Sequence, residues 1–509
     1  MTNTQSRTKL AALNSTVSII GQIVAVVCGF ILPRLILTHF GSAYNGITSS
    51  ITQFTECVIL LRTGVGSVTR AALYKPLAEG DHVALSGIIN ATQSFMRKVA
   101  YIFAIGLLIL ACVYPFAVND EFDWLFSFSL VLILGISTFA QNYFGITYQI
   151  LIQADQKNYI YSIISILTII LNTIVAVILI LLGANIRVVK LGSAIVYSLN
   201  PILLNVYVRR KYKIDKNIKP DTRAISQRWD AFAQQVAAYV NNSTDLVVLT
   251  LFTNLKEVSV YAVYYMIVDK IKTLIQAVTI SFEASFGNIM AKGQDEVLQR
   301  SFRLYELLVF TVSTFVFTCA AVLIKPFIMI YTSGVNDVNY NRAVFGILMC
   351  VNQYLFCIRL PYQNLTNAIG HFKQTKKGAI FEAVLNIVLS VTLVIKFGII
   401  GVTIGTFCAL MFRTFQYAIY SSRVVLKRSI SVMLKQFIIS IAEATCSALI
   451  MQLIQKCRIL PEVNNYLNWL LFAIVSAAVT FVVVILGTGL FYHNDIKALF
   501  QKIKSIIKK

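Results

Sequence analysis

The basic stretch RRKYKIDKNIKPDTR, from Arg209 to Arg223, divides this chain into two similar parts. It is a dense basic cluster within 509 residues, and it separates two sets of long apolar runs. Each run has about 18 to 28 residues, enough to cross roughly 30 Å of hydrocarbon as a helix that rises about 1.5 Å per residue. We therefore predict an all-α integral membrane protein with about fourteen transmembrane helices, about six of them before this stretch.

The composition supports a membrane protein. Hydrophobic residues make up 57% of the chain and charged residues 13%, and the mean hydropathy is +0.73. A water-soluble domain of this size cannot bury so much apolar surface. A transmembrane β-barrel would show alternating segments of about ten residues, and that pattern does not occur in the sequence.

The basic residues indicate the orientation of the helices. The net charge is +22, and the 44 Lys and Arg residues concentrate in alternate predicted loops. By contrast, the turn VNDEFDW from Val118 to Trp124 contains three acidic residues and no basic one. This is the positive-inside pattern of a multi-pass protein, and it predicts that both termini lie in the cytoplasm. The same distribution argues against a nucleic-acid-binding surface.

Cysteine and histidine give no sign of a metal centre. The nine cysteines lie mostly in apolar runs without a CxxC pair, and the four histidines are scattered among loops and helix ends. We therefore expect neither a metal site nor a cofactor. The chain also lacks a GxxxxGK[ST] loop, so an ion gradient, a partner or consumption of the substrate must give transport its direction.

The sequence repeats itself at an offset of about 214 residues. Without a gap, Tyr148, Ala154 and Asn172 match Tyr362, Ala368 and Asn386. Several matches at one offset predict two pseudo-symmetric six-helix lobes, followed by a helix pair outside the duplication. The predicted domains are an N-lobe (1–208), a basic linker (209–228), a C-lobe (229–424), helices thirteen and fourteen (425–491) and a basic amphipathic tail (492–509).

Polar residues recur at spacings of three or four on five predicted helices, which places them on one face of each helix. The main stripes are Asn45, Ser49, Gln53 and Glu56 on helix two, Gln234, Asn241 and Asp245 on helix seven, Tyr261, Tyr265, Asp269, Lys272 and Gln276 on helix eight, Asn352, Arg359 and Gln363 on helix ten, and Glu382 and Asn386 on helix eleven. Any single Asn or Gln is explained by hydrogen bonds between helices, worth about 0.6–2 kcal/mol each. Five stripes that contain acids and bases instead favour a hydrated central cavity.

These stripes give candidate roles. We expect the amides of Gln53, Asn241, Asn352 and Asn386 to line the cavity, and Glu56, Asp245, Asp269 or Glu382 to bind a coupling cation, Na⁺ or H⁺. Basic side chains suit an anionic diphosphate, because guanidinium groups offer paired donors to phosphate oxygens. We expect Arg34, Arg359 and Lys272 to bind the diphosphate, and Arg62 to lie at the mouth of the cavity. Arg413, Lys325 and Glu443 look solitary or lie near helix ends, where snorkelling explains them.

The sequence resembles the polysaccharide flippases of the multidrug/oligosaccharidyl-lipid/polysaccharide exporter superfamily, specifically the bacterial O-antigen and capsule repeat-unit flippases. The resemblance spans nearly the whole chain. It is carried by HFGSAYNGITSSITQF from His39, by LLRTGVGSVTRAALYKPLAEGD from Leu60, by the basic linker and by the plan of two six-helix units and a final pair.

The resemblance implies a function. Such proteins form a two-lobed bundle in the bacterial cytoplasmic (inner) membrane, with a cationic cavity that opens alternately to the two sides. The cargo would be an undecaprenyl-diphosphate-linked oligosaccharide, with membrane lipid around it and a polysaccharide polymerase or assembly proteins as further partners. In this family basic residues of helices one, two and eight line the cavity, and the matching positions are Arg34, Arg62, Lys270 and Lys272.

Two other functions remain open from the sequence. An ion-coupled multidrug exporter of the same fold would use carboxylates and aromatic rings to hold cationic drugs. A membrane-bound glycosyltransferase or polymerase would be an enzyme with a large external loop, whereas the predicted external loops are short. We therefore expect a membrane transporter, and not an enzyme.

Overall fold

The computed structural model describes residues 2–56, 59–118, 120–222, 243–279 and 281–507. The regular secondary structure in these ranges is entirely helical, which confirms the predicted all-α class. Ten of the described helices are long and apolar enough to cross a membrane. The chain is therefore a multi-pass membrane protein.

The described helices follow one another along the chain. They are α1 Thr2–Phe40, α2 Ser42–Thr55, α3 Ile59–Glu79, α4 His82–Ala117, α5 Trp124–Ala154, α6 Asn158–Leu181, α7 Ile186–Lys211, α8 Ser243–Phe252, α9 Leu255–Thr279, α10 Ser281–Ala291, α11 Asp295–Tyr331, α12 Ala343–Ala368, α13 (372–397), α14 (399–420), α15 Ser431–Lys456 and α16 Tyr466–Ile507. Helices α2 with α3, and α9 with α10, correspond to the second and eighth predicted helices. The predicted plan of fourteen helices is thus confirmed.

Several helices extend beyond the apolar runs that predicted them. The predicted second helix, Ala43–Leu61, is two helices that continue to Glu79, and the predicted third, Val99–Ala117, begins at His82. The reason lies in capping, which hydropathy does not detect. The side chain of Asp81 accepts hydrogen bonds from the backbone N–H groups of Val83 and Ala84, both at 2.9 Å, and so starts α4 in a polar segment.

A single glycine, Gly398, separates α13 from α14. Gly398 has φ 52° and ψ −132°, a conformation that residues with a Cβ rarely adopt. The two helices run back along each other, since the Asn386 amide donates to Thr406 Oγ1 at 3.1 Å and the Ser390 hydroxyl to the Val402 carbonyl at 3.4 Å. This hairpin fixes which faces of α13 and α14 meet.

The chain divides into two compact units, Met1–Ser259 and Val260–Lys509. In unit 1, helix α6 packs against α1 and α7, and α5 packs against α4 and α7. Its core is built from buried aliphatic side chains such as Ile47, Ile51, Leu130 and Leu151. The domain boundaries predicted from the duplication stay a prediction.

The described part of the basic linker is attached to unit 1. The Asn90 amide donates to the carbonyls of Asp215 and Ile218, both at 2.9 Å, and the Ser86 hydroxyl accepts from the Asp215 N–H at 3.1 Å. These bonds hold the segment that follows α7 along the first turns of α4. The linker is therefore a structured part of this unit up to residue 222.

An ion pair in the α5–α6 connection is linked to the end of α7 by a hydrogen bond. Lys157 Nζ lies 2.7 Å from Asp155 Oδ2, which also accepts the hydroxyl of Tyr212. Burial acts to lower the pKa of Lys157, but the hydrogen bond and charge of Asp155 outweigh it and raise that pKa. Burial, followed by the same carboxylate, raises the pKa of Tyr212.

In unit 2, helix α11 packs against α12, α15 and α16, and α12 packs against the hairpin. Large side chains such as Phe286, Phe302 and Tyr362 fill the core. Buried Glu306 of α11 accepts hydrogen bonds from Arg428 and Tyr362, which ties the segment after α14 to the bundle.

Candidate functional site

Three helices of unit 2 meet at a buried group of charges. Glu382 on α13 binds an arginine with each carboxylate oxygen: Arg359 Nη1 of α12 lies 2.8 Å from Oε1, and Arg413 Nε of α14 lies 3.3 Å from Oε2. The relative exposures of Arg359, Glu382 and Arg413 are 7%, 4% and 4%. Two buried guanidinium groups therefore share one carboxylate.

A second ion pair lies beside this triad. Lys272 Nζ on α9 is 2.7 Å from Asp269 Oδ1, one turn earlier on the same helix. The Phe356 ring connects the two groups, because its centroid lies 5.2 Å from Lys272 Nζ and 4.7 Å from Arg359 Cζ. These five charged residues form what we call the charge cluster: Asp269, Lys272, Arg359, Glu382 and Arg413. It contains three basic and two acidic side chains, so its formal charge is +1 with all five ionised.

The cluster contains four of the predicted site residues and one that the sequence interpretation missed. Arg413 was expected to snorkel, and that expectation is wrong. Its guanidinium donates to the Thr375 carbonyl at 2.9 Å and to the Tyr417 hydroxyl at 2.9 Å, and lies 4.1 Å from the Tyr417 ring centroid. Gln416 and Tyr417 follow Arg413 at spacings of three and four, and this polar face was the signal available in the sequence.

Other predicted residues lie elsewhere. Arg34 on α1 and Lys270 on α9 are half-buried, whereas Asp245 on α8 is buried. Buried Asn352 donates to the Thr403 carbonyl at 3.0 Å, and buried Asn386 donates to Thr406, so these two amides hold α14 against α12 and α13. The Arg62 side chain and the whole of Asn241 lie outside the described residues.

Unit 1 contains a polar pocket of about 400 Å³ between α2, α5, α6 and α7. Its lining includes Thr52, Thr55, Glu56, Ser137, Thr138, Gln141, Asn142, Tyr161, Ser165, Thr168, Ile169, Tyr197 and Asn200. Predicted Gln53, next to this lining, donates to the Ser243 hydroxyl at 2.7 Å and to Glu56 at 3.5 Å. We call this space the polar pocket. None of its described lining residues is basic.

The polar pocket is shaped by an irregular turn of α5. Residues Gln141–Gly145 form a π-helical turn, and its first two residues, Gln141 and Asn142, both line the pocket. Such turns contain one extra residue and are frequent at functional sites. A Cβ at Gly145 would lie 2.7 Å from Pro201 Cβ, so the close packing of α7 on this turn requires a glycine.

Unit 2 also contains a larger cavity of about 1,400 Å³ between α11, α12, α14 and α15. Its walls are mainly apolar, with Phe317, Ile347, Leu355, Phe407 and Met411 among them, and Lys325 and Arg458 are the described basic residues that line it. We call this space the apolar cavity. Such walls can bury apolar surface of a ligand.

Glu443 on α15, which was also expected to snorkel, is buried. Its carboxyl accepts a hydrogen bond from the Thr488 hydroxyl of α16 at 3.1 Å, and Gly487 packs directly against it. Among the described residues no basic side chain forms an ion pair with it.

Solved transporters share this fold. The lipid II flippase MurJ in an inward closed conformation aligns with a TM-score of 0.70 and 14% identity over 95% of this chain and 100% of its own. An inward-facing multidrug resistance MATE family transporter of the MOP superfamily aligns with a TM-score of 0.60 and 12% identity over 79% of this chain and 95% of its own. A MATE transporter of Vibrio cholerae aligns with a TM-score of 0.55 and 14% identity over 84% of this chain and 99% of its own.

Searches with the sequence itself gave no relative, since no protein-family profile and no curated protein matches it. At these identities the structural matches establish the fold. The fold that the sequence resemblance implied, that of the exporter superfamily, is confirmed.

Proposed function

We propose that this protein is a flippase that moves undecaprenyl-diphosphate-linked oligosaccharide repeat units across the bacterial cytoplasmic membrane by alternating access. The sugars would serve an O-antigen, a capsule or another surface polysaccharide. The likeness to a lipid II flippase supports a lipid-linked cargo. The charge cluster is the observation that carries the proposal.

The charge cluster is suited to an anionic head group. Charged residues within membrane-spanning helices are costly and are retained mainly where they act on a substrate or an ion. Three basic side chains here face two carboxylates. In addition, Arg359 Nε is buried and has no acceptor among the described residues. A diphosphate oxygen would supply that acceptor and balance the remaining positive charge.

The remaining parts of the cargo have matching surroundings. The prenyl chain can stay in lipid or enter the apolar cavity of unit 2. Apolar surface that is removed from water there contributes a favourable free energy of about 25 cal/mol per Å². We assign the diphosphate to Arg359 and Lys272 within the cluster, with Arg34, Arg62 and Lys270 as further basic contacts during passage. The sugars are treated separately below.

The carboxylates provide a way to couple transport to an ion. Glu382 holds both arginines, so an incoming diphosphate must compete with it for Arg359. A coupling cation bound to Glu382 would compete with the arginines for its carboxylate and so free Arg359 for the cargo. Glu382, Glu56, Asp245 and Asp269 are the candidates for binding this ion, H⁺ or Na⁺.

The second candidate is an ion-coupled multidrug exporter, which the MATE likeness favours. A cationic drug would need a carboxylate as its partner. In the cluster, however, Asp269 and Glu382 are already paired with basic side chains, and the charge balance is positive. This arrangement favours an anionic cargo.

The decisive experiment compares a deletion strain with strains that carry variants. Cells without the protein should accumulate lipid-linked oligosaccharide in the inner leaflet and lose surface polysaccharide. The Arg359→Met variant should reproduce that loss at normal membrane abundance, because it removes the group that binds the diphosphate. Arg187→Met is the matched control, since Arg187 lies in unit 1 with its guanidinium 5.5 Å from the Phe126 ring centroid.

The same strains separate the two candidates. Normal surface polysaccharide in the deletion strain would refute the flippase. Increased sensitivity of that strain to cationic drugs, with unchanged polysaccharide, would establish the multidrug exporter instead.

A further inference from the structure

We propose that the polar pocket of unit 1 binds a neutral sugar of the cargo, separately from the charge cluster of unit 2. This inference rests on the proposed function, because it assigns the oligosaccharide part of the same lipid-linked substrate. It makes unit 1 the part of the protein that distinguishes one repeat unit from another.

The first argument is the chemistry of the lining. Hydroxyl groups, amides and two tyrosines line the pocket, and the described lining includes one carboxylate and no basic residue. The described lining therefore offers a diphosphate no positive charge. A sugar both donates and accepts hydrogen bonds through its hydroxyl groups, and its apolar face packs on aromatic rings, so it matches this mixed lining.

The second argument is a pair of buried acceptors. Asn142 is 3% exposed and Asn200 is 9% exposed, and the side-chain oxygen of each has no hydrogen-bond partner among the described residues. The orientation of Asn142 is fixed, because its amide nitrogen donates to the Thr138 carbonyl at 2.8 Å and its oxygen must point the other way. An unpaired buried acceptor costs about 1–3 kcal/mol. Hydroxyl donors of a sugar would satisfy both oxygens.

The third argument excludes a metal ion as the main occupant. A buried cation is most stable beside a buried negative charge. The carboxylate of this pocket, Glu56, is at its exposed margin and accepts a hydrogen bond from Gln53. The volume of about 400 Å³ also falls in the range of about 300–1,000 Å³ that is typical of small-molecule sites.

The test measures binding of two lipids to the purified full-length protein. One is lipid-linked oligosaccharide extracted from cells that lack the protein, and the other is undecaprenyl diphosphate without sugar. Asn142→Leu should weaken binding of the sugar-bearing lipid about tenfold, the effect of one lost hydrogen bond of about 1.4 kcal/mol, and leave the bare lipid unchanged. Asn142→Leu with Asn200→Leu should weaken it about a hundredfold if the two act independently.

The control is Asn205→Leu. Asn205 is on the same helix as Asn200 and has the same kind of buried, unpartnered oxygen, but it does not line the pocket. It should change neither affinity. Equal losses for both lipids in Asn142→Leu would show a general structural defect and overturn the sugar site, as would no loss for either lipid.

Two further outcomes are informative. A Na⁺-dependent rise in melting temperature that disappears in Asn142→Leu would assign the pocket to a cation and refute the proposal. Failure of the wild-type protein to bind either lipid would refute the proposed function itself. If Arg359→Met reduced binding of both lipids while Asn142→Leu reduced neither, the flippase would stand and the sugar site alone would be wrong.

Discussion

Replacing Glu382 by glutamine removes the carboxylate that two buried arginines share. The glutamine keeps the size of the side chain and one oxygen acceptor, but Arg359 and Arg413 then remain buried without their counter-charge. Removing one partner of a buried ion pair costs about 3–5 kcal/mol, because it leaves a charge uncompensated. We therefore expect Glu382→Gln to lower the free energy of unfolding by about that amount.

A double variant tests whether the loss of stability in Glu382→Gln comes from uncompensated positive charge. Arg413→Met removes one of the two positive charges, so Glu382→Gln with Arg413→Met carries less uncompensated charge than Glu382→Gln alone. The two changes should be non-additive, with a coupling of about 0.5–3 kcal/mol that makes the double variant more stable than the sum of the single effects predicts. Thermal unfolding in detergent measures all four proteins. Strict additivity, or a Glu382→Gln variant as stable as the wild type, would contradict the charge balance.

Three further predictions concern stability. Gly398→Ala should destabilise the hairpin by about 1–3 kcal/mol, because the backbone φ angle at this position is 52°. The control is Gly29→Ala in α1, where an added Cβ would meet no neighbouring atom within 4 Å and should not destabilise the protein. The melting temperatures of the two variants and the wild type test this prediction. Asp155→Asn should lower the pKa of Lys157, measured by NMR of the methylated lysine, because it removes the hydrogen bond and the charge that oppose the effect of burial; an unchanged pKa would contradict this. Because the pKa of Lys157 is raised in the folded protein, the stabilisation by this pair is present at neutral pH and is lost as the pH rises through that raised pKa, above about pH 10.4. Glu443→Gln keeps an acceptor for the α16 hydroxyl and should melt at or above the wild-type temperature, whereas a loss of more than about 2 kcal/mol would reveal a buried basic partner.

The sequence could predict the helices because lipid imposes a simple rule on them. A run of about 20 apolar residues is a helix, and a residue such as Gly398 between two runs is a turn. Spacing along one helix was equally informative: Asp269 and Lys272, three positions apart, form an ion pair. Helix ends were less predictable, since the cap at Asp81 lies in a polar segment that hydropathy ignores.

The candidate site was only partly predictable because it depends on which helix faces meet. Arg359, Glu382 and Arg413 lie on three helices, and they meet because the hairpin at Gly398 folds α14 back along α13. A helix-by-helix pattern shows Arg413 as solitary, so snorkelling was the natural interpretation. The polar pocket was missed for a different reason. Its π-helical turn at Gln141–Gly145 breaks the 3.6-residue period on which stripe analysis depends.

The predicted internal duplication relates the two sites along the sequence. At the offset of about 214 residues, Asn142 of the polar pocket corresponds to Phe356, whose ring contacts Lys272 and Arg359. Equivalent positions of the predicted repeat thus lie in a neutral polar pocket in one half and beside basic side chains in the other. The proposed lipid-linked oligosaccharide would require this difference, since its diphosphate needs positive charge and its sugars need hydrogen-bonding groups. Placing more cations beside the sugar would bury charge without a counter-charge. Under this proposal, divergence of the two predicted halves would allow each to meet one requirement, with the polar pocket in unit 1 and the charge cluster in unit 2.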